Sequence, residues 1–159
     1  MINRRGEIEI LRIASRFRQV CECYRNEIGF GGRNFPKYCC GIASRLLAKY
    51  LSECGYGTLG ESIRIKSGQD PNLGENGAHS WILIEGTIID LTADQFDLRM
   101  PTVYMSREAG WYERFNHDAR WEEADFEKLP GANREYRKMY EVLKAYMESE
   151  DGLKINGKP

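Results

Sequence analysis

The chain has 159 residues, the length of one ordinary domain, and 42% of them are hydrophobic, which suffices for one core and excludes disorder of the bulk of the chain. Its 23 basic and 24 acidic residues nearly cancel, so no nucleic-acid partner is expected. Charges interrupt the N-terminal segment, and no later apolar run approaches the ~20 residues of a membrane span, which predicts a cytoplasmic protein with no membrane partner.

Two amphipathic helices are predicted in the first third of the chain. The first covers residues 6–25, where apolar side chains recur every three or four positions. A glycine-rich segment with aromatic residues, 28–36, then interrupts regular structure. The helical period returns over 39–54 and ends at Gly55, a residue suited to the left-handed position that follows a helix.

Antiparallel strands are predicted in the middle of the chain. A short strand is expected over 62–66, and a mobile surface loop over 66–78 because that stretch is polar and contains three glycines and a proline. Two runs rich in β-branched residues, 80–84 and 87–91, are joined by two turn-forming residues and predict a hairpin.

The remaining elements complete one domain. A short strand is expected over 102–105, irregular structure with short helical turns over 107–127, and a long amphipathic helix over 133–148. Residues 1–150 are therefore predicted to form a single α+β domain, with N-terminal helices packed on an antiparallel sheet and a C-terminal helix, followed by a frayed tail over 151–159.

The predicted hairpin places a histidine near an aspartate. With Glu85-Gly86 as a two-residue turn, His79 and Asp90 fall on the same face of the sheet as diagonal cross-strand neighbours, roughly 7–8 Å apart at the backbone. An aspartate in that place orients an imidazole and stabilises its cationic form, as in nucleophilic catalysis. A hydrogen-bonded polar pair on a half-exposed sheet is the structural alternative.

Two adjacent cysteines stand where the second helix begins. Free backbone N–H groups and the positive end of the helix dipole favour a thiolate there, so either Cys39 or Cys40 is a candidate nucleophile. Both also lie on the apolar arc of the helix, where a buried structural cysteine is common. The chain has five cysteines and two histidines without a C-x-x-C spacing, so reduced thiols and no metal are expected.

These residues together resemble a known family. The run CGIAS at 40–44 opens a leucine-rich helix, Gly55 follows Cys40 by fifteen residues, and Asp90 follows His79 by eleven. This order and spacing resemble the transglutaminase-like branch of the papain-like cysteine hydrolases, a superfamily that includes arylamine N-acetyltransferases and the leader peptidases of lasso-peptide pathways. The resemblance spans about a third of the chain and implies a papain-like fold.

The resemblance also implies an activity and the residues that perform it. It selects Cys40 as the nucleophile of a thiol hydrolase, with His79 as the base and later the acid and Asp90 as the group that orients His79. The implied enzyme is a peptidase or amidase that forms a thioester with a peptide, a protein or a small amide, and it needs no cofactor. The rival hypothesis is a non-catalytic binding, immunity or adaptor domain that keeps the fold.

Four further residues are candidate site residues, and each also has an ordinary structural explanation. Asn34 is a candidate oxyanion donor beside the backbone N–H of the nucleophile, although asparagine also favours loops and caps. Trp81 is a candidate substrate contact that could equally be packed on the sheet. Gln95 is a candidate substrate contact, and Asp94 or Gln95 could replace Asp90 as the orienting group, unless both belong to a turn after the strand.

Overall fold

The structure is a computed structural model that describes residues 2–31, 34–57, 63–70, 77–115, 120–131 and 133–149. The predicted frayed tail over 151–159 and the second histidine of the chain, His117, lie outside the described residues. Within the described ranges the architecture is α+β, with helices on an antiparallel sheet and a C-terminal helix, as the sequence predicts. No helix in those ranges is long and apolar enough to cross a membrane.

The helices form where the apolar period predicts them. The third begins at the second of the two adjacent cysteines, and after its last turn Gly55 adopts a left-handed conformation with a φ of 92°. Its neighbour Tyr56 donates its backbone N–H to the carbonyl of Leu51, which closes the helix end. The helices are α1 (Arg4–Cys23), α2 (Arg25–Ile28), α3 (Cys40–Glu53) and α4 (Asn133–Glu148).

The sheet has five antiparallel strands in the described residues. The strands are β1 (Arg64–Gln69), β2 (Ala78–Ile84), β3 (Thr87–Asp90), β4 (Tyr104–Ser106) and β5 (Arg120–Glu123). Their order across the sheet is β4-β3-β2-β1-β5. The hairpin prediction is confirmed, whereas β5, which pairs with β1, lies in a stretch that was expected to be irregular.

The predicted loop over 66–78 is wrong at its start, because β1 continues to Gln69. Inside this strand, Gly68 marks a close approach of two backbones and not a loop: a Cβ at this position would overlap the carbonyl oxygen of Phe115. Phe115 ends a 3-10 helix, Gly110–Phe115, that lies on this part of the sheet.

The sheet is buried on both faces. On the helical face, side chains from β2 and β3 such as Ile82 and Ile89 pack in the main core with α1, α3 and α4. On the other face, Trp81 and Ile88 pack with aromatic residues of the 3-10 helix Gly110–Phe115. The alternation along β2 and β3 therefore sends every second side chain into a second, mainly aromatic cluster, and this cluster surrounds the candidate site.

Candidate active site

The turn of the β2–β3 hairpin sets which side chains share a face. Glu85 and Gly86 both have positive φ, 48° and 79°, as in the type I′ turns that match the twist of paired strands. Ile84 and Thr87 are directly paired, so the register is the one that a two-residue turn predicts. His79 and Asp90 consequently lie on one face, and Nε2 of His79 is 2.5 Å from Oδ2 of Asp90.

The Asp90 carboxylate is held at both of its oxygens. Oδ1 accepts the backbone N–H of Thr92 at 2.8 Å and its hydroxyl at 3.3 Å, while Oδ2 also accepts the hydroxyl of Tyr112 at 2.8 Å. Burial by itself raises the pKa of Asp90, but the positive charge of His79 and these hydrogen bonds outweigh it and lower the pKa below its ordinary value. Asp90 is therefore an ionised, fixed acceptor for the imidazole.

His79 is enclosed by aromatic side chains and is 1% exposed. The expectation of a half-exposed histidine is therefore wrong, because the 3-10 helix and the loop after β3 cover this face of the sheet. Burial lowers the pKa of His79, but the charge and hydrogen bond of Asp90 overcome this effect and raise the pKa to about 9. Five aromatic rings have their centroids 4.9–6.5 Å from that of His79, those of Trp81, Phe96, Trp111, Tyr112 and Phe115.

Cys40 meets His79 from the first turn of α3. The buried hydroxyl of Ser44 donates to the carbonyl oxygen of Ser80 at 3.2 Å, which fixes α3 on β2 next to His79. Burial raises the pKa of the Cys40 thiol, but the proximity and positive charge of His79, together with the backbone of Ser80, bring the pKa below its ordinary value.

The two groups favour each other's charged forms. Nε2 of His79 is occupied by Asp90, and the other ring nitrogen, Nδ1, is buried without a hydrogen bond of ordinary geometry to the described residues. The raised pKa of the imidazole and the lowered pKa of the thiol act in the same direction, toward a protonated His79 beside a thiolate at Cys40.

The two adjacent cysteines have different environments. Cys39 is fully buried, and its thiol donates to the carbonyl oxygen of Lys37 at 3.2 Å. Cys40 is only partly buried and is the thiol whose pKa is lowered by His79. The structure thus brings Cys40, and not Cys39, to the imidazole, a choice that helical periodicity alone left open.

Asn34 and Trp81 occupy different surroundings from those expected of site residues. Asn34 is exposed, and its backbone carbonyl accepts the N–H of Lys37 at 2.8 Å in a turn before α3, so its role as an oxyanion donor stays a prediction. Trp81 is 1% exposed and packs on Tyr112 and Phe115. A side chain so covered cannot wall a substrate groove, and the prediction of a substrate contact for Trp81 is corrected to a packing role.

The residues after β3 are engaged in bonds within the protein. The Gln95 side chain donates to the carbonyl of Thr92 at 2.9 Å and accepts the backbone N–H of Tyr38 at 3.2 Å. Asp94 forms a bidentate ion pair with Arg18, in which both N···O distances are 2.8 Å. Asp90 is therefore the carboxylate on His79. Gln95 joins the loop after β3 to the loop before α3, and its contact with substrate stays a prediction.

Sequence reasoning missed two residues that support the site. Tyr112 lies in a stretch with no periodic pattern, so nothing in the sequence pointed to its bond with Asp90. Arg18 is 4% exposed; besides binding Asp94, its guanidinium donates to the carbonyls of Leu91 and Thr102. A signal was available for Arg18, since it follows the buried Ala14 by four positions on α1 and therefore shares its apolar face.

The arrangement resembles a nucleophile, a base and an orienting group. Among the described residues, no group of three or more histidine, cysteine, aspartate or glutamate side chains is placed to hold a metal ion. Comparisons with protein-family models, curated proteins and solved structures found no match. The function is therefore inferred from the geometry and electrostatics of these side chains.

Proposed function

We propose that this protein is a cysteine-dependent acyl-transfer enzyme, a peptidase or amidase with a transglutaminase-like, papain-like fold. Cys40 is the nucleophile, His79 the proton carrier and Asp90 its orienting group. The observation that supports this proposal is the buried pair of His79 and Asp90, 2.5 Å apart, together with a partly exposed thiol whose pKa the same imidazole lowers. A polar pair that served only folding would have no need of an activated thiol beside it.

In the first half of the reaction, the Cys40 thiolate attacks the carbonyl carbon of the substrate. A C–S bond forms, and the carbonyl electron pair moves onto oxygen, where the backbone N–H of Cys40 is a donor at the positive end of α3. When the C=O bond re-forms, the C–N bond breaks, and the leaving amine takes the proton of His79. The products are a thioester on Cys40 and a neutral imidazole.

In the second half, His79 accepts a proton from the incoming acceptor. Water or an amine attacks the thioester carbonyl, its proton passes to the imidazole, and the C–S bond breaks to return the thiolate beside a protonated His79. Asp90 stays ionised throughout and stabilises the imidazolium. With water as the acceptor the outcome is hydrolysis, and with an amine it is transamidation, so the acceptor that reaches Cys40 decides the reaction type.

The test is the pH dependence of alkylation at individual cysteines. The protein is treated with limiting iodoacetamide from pH 5 to pH 10, and the label is located by peptide mapping. Cys23 and Cys54 are exposed and serve as references within the same molecule; burial and the charge of Glu53 raise the pKa of Cys54, so Cys23 is the stricter reference. The ratio of the rates at pH 6 and pH 9 removes the effect of accessibility, because accessibility is common to both pH values. This ratio should be at least tenfold higher for Cys40 than for the two reference thiols.

His79→Gln identifies the origin of the effect. Glutamine avoids most of the cavity that alanine would leave among the surrounding rings, and it removes the titrating group. In this variant the low-pH reactivity of Cys40 should fall to that of the reference thiols or below it, because burial still raises the pKa of the thiol. A Cys40 profile that matches Cys23 and Cys54 in the wild-type protein would refute the enzyme and favour a binding domain that keeps the fold. An unchanged profile in His79→Gln would assign the activation to another group.

A further inference from the structure

Tyr38 is a large aromatic residue that the fold leaves in solvent. It is 76% exposed and stands two residues before Cys40, which limits the distance between the two Cα atoms to about 7 Å. Most of its surface contributes nothing to the core. An exposed aromatic residue this close in sequence to an activated thiol is a candidate substrate contact.

The backbone of Tyr38 is held in an unfavourable conformation. Its φ is 60°, in the left-handed region, where a residue with a Cβ costs roughly 1–2 kcal/mol relative to the right-handed region. Glycine or asparagine would occupy this position at lower cost. A strained tyrosine that packs little in the protein points to a use for its side chain outside the protein.

A chain of hydrogen bonds fixes Tyr38 relative to the proton carrier. The backbone N–H of Tyr38 donates to Oε1 of Gln95, and Nε2 of Gln95 donates to the carbonyl of Thr92. The backbone N–H of Thr92 in turn donates to Oδ1 of Asp90. The next residue along this loop, Phe96, lies with its ring centroid 4.9 Å from that of His79. Tyr38 therefore lies directly ahead of α3 and is tied to the loop that covers His79.

We propose that Tyr38 is a specificity-determining residue that contacts an apolar, preferably aromatic, side chain of the acyl donor next to the scissile carbonyl. This inference rests on the proposed acyl-transfer function. A second exposed apolar residue, Leu98, which is 94% exposed, follows Gln95 by three positions. Acyl donors without an apolar side chain, such as glycine or asparagine amides, gain nothing from contact with the Tyr38 ring.

The experiment compares two alkylating probes that differ only in an aromatic group. Iodoacetamide and its N-benzyl derivative both react by forming a C–S bond with loss of iodide, so the chemical step is the same. The rate ratio of benzyl to unsubstituted reagent is measured at pH 6 for Cys40 and, in the same sample, for the exposed Cys23. Since an aromatic pair contributes about 0.5–1.5 kcal/mol, the ratio at Cys40 should exceed that at Cys23 by about threefold to tenfold.

Two variants of Tyr38 attribute the preference. Tyr38→Phe keeps the ring and should keep the benzyl preference, whereas Tyr38→Ala should reduce the ratio at Cys40 to that of Cys23. Equal ratios at the two cysteines of the wild-type protein, or a preference that survives Tyr38→Ala, would overturn the proposal. An equal increase in the rates of both reagents at Cys40 in Tyr38→Ala would also overturn the proposal, because it would mean that the ring only shields the thiol. Failure of the enzyme hypothesis is distinct, because Cys40 of the wild-type protein would then show no low-pH reaction with iodoacetamide.

Discussion

Replacing Asp90 by asparagine should remove the charge that keeps His79 protonated. Asparagine preserves the shape and can still accept the backbone N–H of Thr92 through its oxygen. Its amide nitrogen then faces Nε2 of His79 and donates to it, so that nitrogen must be unprotonated. The ring proton is forced onto Nδ1, and the imidazole can no longer take a proton from the Cys40 thiol through that atom.

The size of the effect follows from the pKa of His79. The difference between the ordinary value of 6.5 and about 9 corresponds to about 3 kcal/mol in favour of the protonated ring, at 1.36 kcal/mol per pKa unit. Burial opposes the charged ring, so without the Asp90 charge the pKa should fall below 6.5. Alkylation of Cys40 at pH 6 should slow at least tenfold, because the imidazolium that stabilises the thiolate is lost.

Nuclear magnetic resonance measures this pKa directly, because the chain has only two histidines. A His117→Gln variant identifies which imidazole signals belong to His79. The signals of His79 should titrate near pH 9 in the wild-type protein and below 6.5 in Asp90→Asn. A wild-type His79 that titrates near 6.5, or an equal titration in Asp90→Asn, would refute the electrostatic reasoning.

The same interaction makes stability depend on pH. In the folded protein His79 keeps its proton to about pH 9, whereas in the unfolded chain it loses the proton near 6.5. The stabilisation is therefore fully present below pH 6.5 and is lost as the pH rises to about 9. In a Cys40→Ala background, which removes the titration of the thiol and its contribution to the pKa of His79, urea denaturation should show a decrease of less than about 3 kcal/mol over this window. Asp90→Asn in that background should abolish the decrease.

Two further variants test how the site is supported. Tyr112→Phe removes a hydrogen bond to a charged oxygen of Asp90, which should lower the free energy of unfolding at pH 7 by about 1.5–3 kcal/mol. This loss of stability should become smaller as the pH falls below 3.8 and Asp90 takes up a proton. A loss that stays constant while the Asp90 carboxylate takes up its proton would mean that the hydroxyl does not act through the carboxylate. Gly68→Ala should push the 3-10 helix off the sheet and lower stability by about 1–3 kcal/mol, measured as a decrease in Tm. Gly110→Ala, where an added Cβ meets open space, is the matched control, and an equal change in both variants would contradict the close-approach explanation.

The local parts of the fold could be predicted from the sequence. The hairpin depends on two adjacent runs and the turn between them, so the shared face of His79 and Asp90 followed from residue parity. The C-terminal helix has the predicted bounds, 133–148, because its apolar period is unbroken. In each of these cases the information lies within a window of about 16 residues.

The parts that failed depend on segments distant in sequence. β5 is a strand because it pairs with β1, more than 50 residues earlier, and its short sequence carries no alternation strong enough to predict it. The burial of His79 has the same origin: the 3-10 helix that covers it packs on the sheet only through tertiary contacts. Gly68 illustrates the ambiguity most clearly, since a glycine that permits a close approach and a glycine that ends a strand look identical in sequence.

Activation of the Cys40 thiol depends on complete folding, because the buried guanidinium of Arg18 joins α1 to the loops beside the site. Arg18 belongs to the first helix, yet its bonds reach Asp94 and the carbonyls of Leu91 and Thr102, and its charge lies 5.0 Å from the ring centre of Phe35, ahead of the nucleophile. The loop before α3 and the loop after β3 therefore acquire their positions only once α1 has docked. A chain in which the hairpin alone had formed would carry an ordinary thiol at Cys40. The reactivity of Cys40 toward iodoacetamide at pH 6 would then measure the fraction of native molecules during refolding. A partly folded protein would have no unselective acyl-transfer activity.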